Sequence, residues 1–393
     1  MIERIALHLS TKHVLGDPRI WHRELMSLQP LEMTLHLGMY GAPNTEVAGV
    51  VCHSLGPIHR VSRHGEIQRY RPSLWKRLQA AWRLSRFVRP HVVHIHDPEL
   101  LLLVPLWRIV CVGVIYDRHE DYPQREGLRW FAPVERWLAH RTSAVLIVDE
   151  QWRASLSSHR VYHVPNGALS PHEIVPAPGV QTITAVSNGD RTSLAEEAPS
   201  AFTLIYAGTQ GRDRGLFEML EVIRMARENG RDWRLILAGI GHVSEELDEA
   251  DAYIASRDLS AAIERLGWRE FLPYEELIAS LARADVGLAM LHPEPRYMVA
   301  RPTKFGEYAV ARLPLVCSDF PFYRDYVSRY DCGLVAPAVN ASALYEVLAR
   351  LDDDPVLRRE KSEGSGRAAG HQRWTAHAPT LLNAYRDLMP ASL

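Results

Sequence analysis

Cysteine is scarce in this chain of 393 residues, which contains four: Cys52, Cys111, Cys317 and Cys332. No two of them form a C-x-x-C pair, and their wide spacing excludes a disulfide-built scaffold and a zinc ribbon. Three of the four lie in or beside apolar runs, which predicts buried free thiols.

Long hydrophobic runs and an excess charge of one sign are also lacking. The longest apolar stretch, 100–116, contains Pro105 and Arg108 and is shorter than the ~20 residues of a membrane span. The N-terminus carries Glu3 and Arg4 and no small-residue cleavage site, so no signal peptide is predicted. Because 45 Lys and Arg face 47 Asp and Glu, the net charge is −2, which argues against a nucleic-acid partner. We therefore expect a cytoplasmic protein.

The sequence does contain a regular alternation of short apolar runs with amphipathic helical stretches. The runs that predict strands are 5–9, 33–39, 92–96, 113–116, 144–148 and 161–164, followed by 203–207, 234–238, 262–266, 286–290 and 315–318. Several are almost continuously apolar, which is typical of parallel strands covered on both faces. Their alternation with helices predicts doubly wound α/β architecture.

The segment 168–200 is rich in Pro, Ser, Ala and Gly and separates the two series of strands. We predict an N-terminal Rossmann-like domain over 1–170, a linker region over 171–200 and a C-terminal Rossmann-like domain over 201–372. A final helix over 373–393 is expected to pack back toward the N-terminal domain. Two such domains facing a cleft would bind ligands at the carboxyl ends of their strands.

The loop after the strand 203–207 has features of a phosphate site. It reads G-T-Q-G-R-D-R-G over 208–215 and precedes a helical stretch at 216–228. Its glycines allow close backbone approach, the helix N-terminus attracts anions, and Arg212 and Arg214 add positive charge. The alternative is an exposed basic turn.

A second segment, R-P-T-K-F-G-E-Y-A-V-A-R-L-P-L-V over 301–316, favours a nucleotide site. Pro302 suits a first helical turn, so Thr303 and Lys304 fall where free backbone amides favour a diphosphate. Glu307 lies one turn further, where a carboxylate can accept hydrogen bonds from two ribose hydroxyls. The alternative is an exposed Lys–Glu pair, which would contribute little stability.

Polar residues also follow strands of the first series. Gly16 and Asp17 begin a turn in which Asp17 caps a helix. His94 and His96 alternate on one strand and therefore share a face, and D-R-H-E-D over 117–121 follows the next strand.

These segments contain enough ligands for zinc or iron, so a metal site is an alternative. The potential ligands are His94, His96, Asp97, His119, Glu120 and Asp121. Their spacing contains no H-E-x-x-H or C-x-x-C pattern, and no metal is predicted. Asp352, Asp353 and Asp354 imitate a D-x-D motif, but they precede Pro355, and the end of a helix explains them better.

The run P-T-K-F-x-E-Y-x-x-x-x-L-P-L-V at 302–316 resembles the nucleotide-sugar-binding helix of retaining family-4 GT-B glycosyltransferases (glycosyltransferase group 1). G-D-P-R-I from Gly16, H-D from His96 and D-x-H-E from Asp117 resemble the first glycine loop and the acceptor-side signature of that family. Arg214 takes the place of the usual Lys of its phosphate loop. The resemblance extends from about Gly16 to about Val335.

The resemblance implies that a sugar passes from a UDP-, GDP- or other NDP-sugar to a glycan, lipid-linked or small-molecule acceptor with retention of configuration. It implies no metal and no permanently bound cofactor, and catalytic roles for His119, Arg214 and Lys304. The implied donor-binding residues are Gly16, Gly208, Thr209, Arg212, Arg214, Gly239, Trp268, Thr303, Lys304 and Glu307. The implied acceptor-binding residues are Asp17, Arg19, His96, Asp97 and Glu120. Trp268 could stack on a nucleobase or pack beneath its loop.

One departure from the family pattern keeps other functions open. The family often carries a Glu-x7-Glu pair whose second member matches Glu307, but its first member would fall at Val299. This puts the identity of the donor sugar in doubt. The alternatives are a nucleotide-sugar epimerase on a similar fold and an inactive GT-B scaffold that binds a partner.

The segment 69–89 combines seven basic residues with recurring apolar ones and contains no acid. It predicts either an ordinary packed helix with a solvated basic face or a peripheral attachment to an anionic membrane surface. Residues 1–170 carry a charge of +6 and the remainder −8. The basic half is therefore the one expected to meet an anionic acceptor or membrane.

Overall fold

The computed structural model describes residues 4–61, 67–69, 72–110, 112–119, 129–156, 160–178, 201–241 and 243–389. The chain divides into two compact units. The first comprises Met1–Asn166, Val175–Gln181 and His377–Leu393, and the second comprises Gly167–Ile174 and Thr182–Ala376. Most of the predicted linker lies outside the described residues.

The first unit contains ten described strands, β1 to β10. They are β1 Ile5–Leu9, β2 Thr34–Met39, β3 Glu46–Val47, β4 Val50–Ser54, β5 His59–Val61, β6 Ile67–Arg69, β7 Val92–Ile95, β8 Gly113–Arg118, β9 Ala144–Ile147 and β10 Val161–His163. Eight of them form a sheet in the order β10-β9-β8-β7-β1-β2-β4-β3, parallel except for the pair β3–β4. β5 and β6 form a separate antiparallel pair.

Helices of several kinds connect these strands. The α-helices are Met26–Leu28, Leu74–Val88, Val104–Ile109, Ala132–Ala139 and Ala378–Leu388, and a π-helix spans Pro18–Leu25. Short 3-10 helices lie at Gln29–Leu31, Pro98–Leu103, Arg129–Phe131 and Glu150–Leu156. The sheet order reverses between β1 and β7, so loops that leave these two strands diverge there. A ligand site is expected at this point of a doubly wound sheet.

The second unit repeats the architecture with β11 Phe202–Ala207, β12 Trp233–Ala238, β13 Ile263–Leu266, β14 Val286–Ala289, β15 Leu315–Ser318 and β16 Gly333–Ala336. All pairs in the order β13-β12-β11-β14-β15-β16 are parallel. Its α-helices are Leu216–Glu228, Ser244–Ser256, Tyr274–Leu281, Pro295–Met298, Thr303–Val310, Pro321–Tyr330, Ala341–Asp353 and Pro355–Gln372, with 3-10 helices at Pro171–Glu173, Arg212–Arg214 and Trp374–Ala376. The order reverses between β11 and β14.

The predicted doubly wound α/β class is therefore confirmed, and each predicted strand is present within two residues of its expected limits. Five described strands were missed. β3, β5 and β6 have two or three residues each, β4 contains His53 between apolar residues, and β16 is a short run that opens with glycine. Cys52, Cys317 and Cys332 are buried free thiols, as predicted, whereas Cys111 lies outside the described residues. Among the helices described, none is long and apolar enough to cross a bilayer.

Tyr308 connects the helix Thr303–Val310 to both strands at the reversal point of the second sheet. Its hydroxyl accepts a hydrogen bond from the Ala207 amide and donates one to the Leu288 carbonyl, both at 2.9 Å. The side chain is almost fully buried. A Cβ on Gly287 would lie 2.5 Å from this ring, so the glycine makes room for it.

We expect Tyr308→Phe to lower the free energy of unfolding by about 1–3 kcal/mol, because it leaves two buried backbone groups without their partner. Urea denaturation followed by circular dichroism measures the change. Tyr330→Phe, at a partly exposed ring of the same unit, is the control and should change stability by less than about 0.5 kcal/mol. Equal effects of the two substitutions would contradict this role of the Tyr308 hydroxyl.

Candidate active site

The loops that leave β11 and β12 meet at two glycines because their backbones approach closely. Gly208 has φ +122° and Gly239 φ +141°. A Cβ on Gly239 would lie 2.1 Å from the Gly208 carbonyl oxygen, and one on Gly208 would lie 3.6 Å from Lys304 Nζ. Two predicted donor-binding glycines and Lys304 are thus brought together.

Lys304 is the most unusual group of this loop cluster. It follows Thr303, the exposed first residue of its helix, yet only 7% of its surface is exposed. Nζ lies 3.4 Å from the ring centre of Tyr206 and has no hydrogen-bond partner among the residues that the structure describes. Burial, reinforced by the charge of Arg214 and opposed by Glu307, lowers the pKa of Lys304 well below its usual value. A bound anion would reverse this effect.

The two arginines of the loop differ in their surroundings. Arg214 is partly buried and hydrogen-bonds Tyr206, the ring against which Lys304 packs. Arg212 is exposed, and its guanidinium lies 4.1 Å from the ring centre of Phe217. Arg214, rather than Arg212, therefore adds a second cation next to Lys304.

Two further predicted donor-side residues, Glu307 and Thr209, each accept a hydrogen bond from a tyrosine hydroxyl. Glu307 is buried one turn after Lys304 and accepts a 3.3 Å hydrogen bond from the Tyr274 hydroxyl. The Thr209 carbonyl accepts a 3.2 Å hydrogen bond from the Tyr206 hydroxyl, which holds the loop against β11.

Trp268 lies in the hydrophobic core of the second unit, with 8% of its surface exposed. Its Nε1 donates a 3.2 Å hydrogen bond to Asp251. This position favours the packed alternative over stacking on a base.

In the first unit, Arg19 and Asp117 form a buried bidentate ion pair. Arg19 Nε and Nη2 donate to the two carboxylate oxygens of Asp117 at 2.7 and 2.6 Å. Arg19 Nη1 donates to the Val164 carbonyl and to Asn166 at 3.1 and 2.8 Å. Burial acts to raise the pKa of Asp117, but Arg19 and His119 outweigh it and hold that pKa well below its usual range. All three guanidinium nitrogens of Arg19 thus contact groups of the protein, and its role in binding the acceptor stays a prediction.

A chain of hydrogen bonds joins the predicted catalytic histidine to the predicted cap residue. His119 Nδ1 lies 2.8 Å from Asp117 Oδ2, and its Nε2 lies 3.1 Å from His13 Nε2. His13 Nδ1 lies 2.9 Å from Asp17, which also accepts the Arg19 and Ile20 amides and so caps the π-helix as expected. Each of the two rings thus faces a carboxylate through Nδ1 and the other ring through Nε2.

His96 and Asp97 lie at the end of β7, next to this chain. His96 Nδ1 is 3.3 Å from Asp117 Oδ2. Asp97 Oδ2 accepts hydrogen bonds from the Ser10 hydroxyl at 3.0 Å and the Thr11 amide at 2.6 Å. The carboxyl ends of β1, β7 and β8 therefore meet at one polar cluster.

Two of the remaining site assignments have different outcomes. Gly16 adopts φ +80°, which suits glycine. Glu120 lies outside the described residues. His13 and the central position of Asp117 among these hydrogen bonds were not predicted from the sequence. A signal for His13 existed, because it stands four residues before Asp17.

Two family models match the chain. Residues 39–167 match the family model described as "Glycosyl transferase 4-like domain", and residues 195–368 match "Glycosyl transferases group 1". Glycogen synthase of Mycobacterium tuberculosis is 24% identical over 316 residues, covering 77% of this chain and 70% of that protein.

Solved structures show the same fold. Sucrose-phosphate synthase of Thermosynechococcus elongatus superposes with a TM-score of 0.66 at 16% identity, covering 99% of this chain and 100% of that chain. HepE of Anabaena, solved in complex with UDP-glucose, gives a TM-score of 0.63 at 11% identity, with coverages of 98% and 99%.

The two doubly wound sheets, with polar groups at the ends of their strands, are those of the GT-B glycosyltransferases, which confirms the predicted fold. Within that class, the chain belongs to the group 1 glycosyltransferases. The family resemblance seen in the sequence is thereby confirmed.

The Arg19–Asp117 pair generates a stability prediction. Arg19→Met removes the bidentate cationic partner of the buried Asp117 carboxylate, so we expect it to lower the free energy of unfolding by about 3–5 kcal/mol at neutral pH. The difference in free energy of unfolding between the wild type and Arg19→Met should become smaller as the pH falls, because protonation of Asp117 removes its uncompensated charge. Denaturant titrations at several pH values provide the measurement.

Arg283→Met is the matched control, since Arg283 forms an exposed pair with Glu264 and should contribute no more than about 1 kcal/mol. A loss for Arg19→Met no larger than that of the control would show that the buried pair does not stabilise the first unit.

Proposed function

We propose that this chain transfers a sugar from a UDP-, GDP- or other NDP-sugar to a glycan, lipid-linked or small-molecule acceptor, with retention of configuration. The observation that carries the proposal is Lys304, a buried cation whose Nζ has no hydrogen-bond partner among the described residues. A diphosphate supplies the anionic oxygens that this cation and its neighbour Arg214 lack. The HepE complex with UDP-glucose supports a nucleotide sugar as donor for this fold.

The transfer requires stabilisation of the departing nucleoside diphosphate. The bond between the sugar C1 and the phosphate oxygen breaks, and a bond between C1 and the acceptor oxygen forms on the same face. The acceptor proton passes to the leaving phosphate oxygen, so no general base is assigned. Lys304, Arg214 and the free amides of the helix Thr303–Val310 stabilise the developing negative charge. These groups perform this role without a metal ion or a permanently bound cofactor.

His119 positions and polarises groups at the transfer point in this proposal. Its Nδ1 faces Asp117, which is held by two hydrogen bonds from Arg19. A carboxylate fixed in this way selects the tautomer and orientation of the imidazole. His96 and Asp97, at the neighbouring strand end, are proposed to shape the acceptor site.

The donor nucleoside is proposed to contact Glu307, whose carboxylate is buried one turn after Lys304. A carboxylate in this position can accept two ribose hydroxyls. Trp268 is not part of this proposal, because its ring is packed in the core.

Nucleoside diphosphate binding should be coupled to proton uptake at Lys304. The pKa of Lys304 is lowered in the free protein and should rise when an anion binds, so affinity should fall as pH rises between those two values. Calorimetry of UDP and GDP in buffers of different ionisation enthalpy measures the uptake. Lys304→Met should weaken the best binder at least about tenfold and abolish the uptake.

Lys361→Met, which removes a cation from a surface pair with Asp331 in the same unit, is the control. Unchanged nucleotide affinity in Lys304→Met would refute the donor site.

The activity itself is tested by the stereochemistry of the product, whose anomeric coupling constant in the NMR spectrum should show retention. Conversion of the donor without consumption of an acceptor would instead identify an epimerase. Nucleotide binding without any conversion would identify an inactive scaffold that binds a partner.

We further propose that the helix Leu74–Val88 attaches the first unit to an anionic membrane surface. Trp75 and Phe87 are 72% and 77% exposed, and Lys76, Arg83 and Arg86 are exposed on the same helix. Exposed aromatic rings among cations are typical of helices that lie in the lipid headgroup region. This would bring a lipid-linked acceptor to the first unit.

Sedimentation with liposomes tests the attachment. The wild type should pellet with vesicles that contain anionic lipid and stay in the supernatant with neutral ones. Trp75→Ser combined with Phe87→Ser should reduce the pelleted fraction severalfold, because the apolar anchors are lost. Val356→Ser, at an equally exposed residue of the second unit, is the control. Equal recovery in the supernatant with both vesicles would contradict the proposal.

A further inference from the structure

A second polar cluster lies inside the first unit, and of its four side chains only His96 is shared with the proposed acceptor site. It contains His8 of β1, His94 of β7, His96 just beyond β7, and Glu24 of the π-helix Pro18–Leu25. All four side chains are fully buried. His8 and His94 are register partners in the parallel pair β1–β7, and His96 follows two residues later, so the three rings share one face of the sheet.

The interior of this cluster contains polar atoms whose hydrogen-bonding capacity is unused. Among the described residues, His94 Nε2 and Glu24 Oε2 have no hydrogen-bond partner, whereas Glu24 Oε1 lies 3.1 Å from Arg19 Nε in a buried ion pair. Burying a polar atom without a partner costs on the order of 1–3 kcal/mol. His94 Nε2 and Glu24 Oε2 lie on two facing side chains and therefore need a common partner.

The separations of these atoms match those of ligands around one ion. His94 Nε2 is 3.6 Å from Glu24 Oε2, and His96 Nδ1 is 3.8 Å from the same oxygen. Nitrogen and oxygen ligands at about 2.0–2.1 Å from a tetrahedral zinc lie about 3.4 Å apart. One ligand atom from each of His8, Glu24, His94 and His96 can be chosen so that all four lie within 4.8 Å of one another.

The opposite sides of the two candidate ligand rings have partners already. His94 Nδ1 lies 2.9 Å from the Tyr385 hydroxyl, and His96 Nε2 lies 3.0 Å from His8 Nδ1. His8 Nε2 in turn lies 2.8 Å from the Tyr385 hydroxyl. Histidines that bind a metal through one nitrogen characteristically hydrogen-bond a partner through the other, and both rings have a partner on that side.

We propose that His94 Nε2, His96 Nδ1 and the Glu24 carboxylate bind a divalent transition metal, with Zn²⁺ as the first candidate and His8 as the fourth ligand within reach. The ion would link β7 to the π-helix that carries Arg19, and its role would be structural, because every ligand is buried. Ligation by His96 Nδ1 exchanges its 3.3 Å contact with Asp117 Oδ2 for a bond to the metal, and ligation by His8 likewise exchanges its contact with His96. The proposal does not depend on the proposed transfer reaction.

The sequence pattern did not predict this site because its ligands come from three distant segments. Residues 8, 24 and 94–96 have no conventional metal-binding spacing, and only the pairing of β1 with β7 brings them together. The competing state is an ion-free cluster in which Glu24 is protonated and joins the hydrogen-bonded chain. The two states differ in metal content, which can be measured directly.

The full chain should be produced with a tag that contains no histidine, in medium supplemented with zinc. Because the ligands are buried, part of the sample should be unfolded and refolded with zinc or with a strong chelator. We expect about one zinc per chain after refolding with zinc, a higher melting temperature than in the chelator sample, and X-ray absorption showing imidazole ligands at about 2.0 Å.

His94→Gln and Glu24→Gln should reduce the bound zinc at least about tenfold. Tyr385→Phe removes only the outer hydrogen-bond partner and should weaken zinc binding about 10–100-fold in competition with a chelator. This variant keeps every ligand, so it tests the site even where the ligand variants fail to fold. The control is His53→Gln, since His53 pairs with His36 at 2.8 Å in the same sheet, away from the cluster.

Less than about a tenth of a zinc per chain in the refolded wild type would overturn the proposal and favour the ion-free cluster. Equal zinc in the wild type and in both ligand variants would also overturn it, because the metal would then be bound adventitiously at the surface. Zinc lost in the ligand variants and in Tyr385→Phe but kept in His53→Gln would support it.

Discussion

The buried pairing of Arg19 with Asp117 is the interaction on which the first unit's polar cluster depends. The guanidinium reaches from the start of the π-helix Pro18–Leu25 to the end of β8, and it also holds the Val164 carbonyl and Asn166. A fixed carboxylate at Asp117 then determines the orientation of His119 and contacts His96. Burial makes this pair costly to break. It also keeps water from competing for the hydrogen bonds that fix the geometry of the pair.

In the second unit, the buried lysine lies near another cation instead of forming a bidentate pair with a carboxylate. Lys304 is buried with an aromatic ring beneath it, and the nearby cation Arg214 lowers its pKa while Glu307 acts in the opposite direction. In the proposed function, a bound diphosphate would be stabilised by both cations. Tyr308 keeps the helix that carries Lys304 against β11 and β14.

Much of the fold and part of the candidate site could be predicted from local pattern. Apolar runs located the parallel strands, and Asp17 was recognised as a helix cap because capping depends on neighbours two or three residues away. Exposure was harder to predict. Arg212 and Arg214 stand two residues apart in one loop, yet one is exposed on Phe217 and the other packs toward Tyr206. Trp268 was a candidate for base stacking and instead packs in the core.

The sequence by itself determined the α/β class, the order of strands and helices, the family, and the loops in which charged groups follow strands. These depend on periodicity and on short motifs, which act between residues close in the chain. Only the tertiary structure decided which charges have partners. Arg19 meets Asp117 across 98 residues, His8 meets His94 through the pairing of β1 with β7, and Lys304 is left without an acceptor among the described residues. Those outcomes depend on which strand ends become neighbours in the sheet, and no local spacing encodes that information.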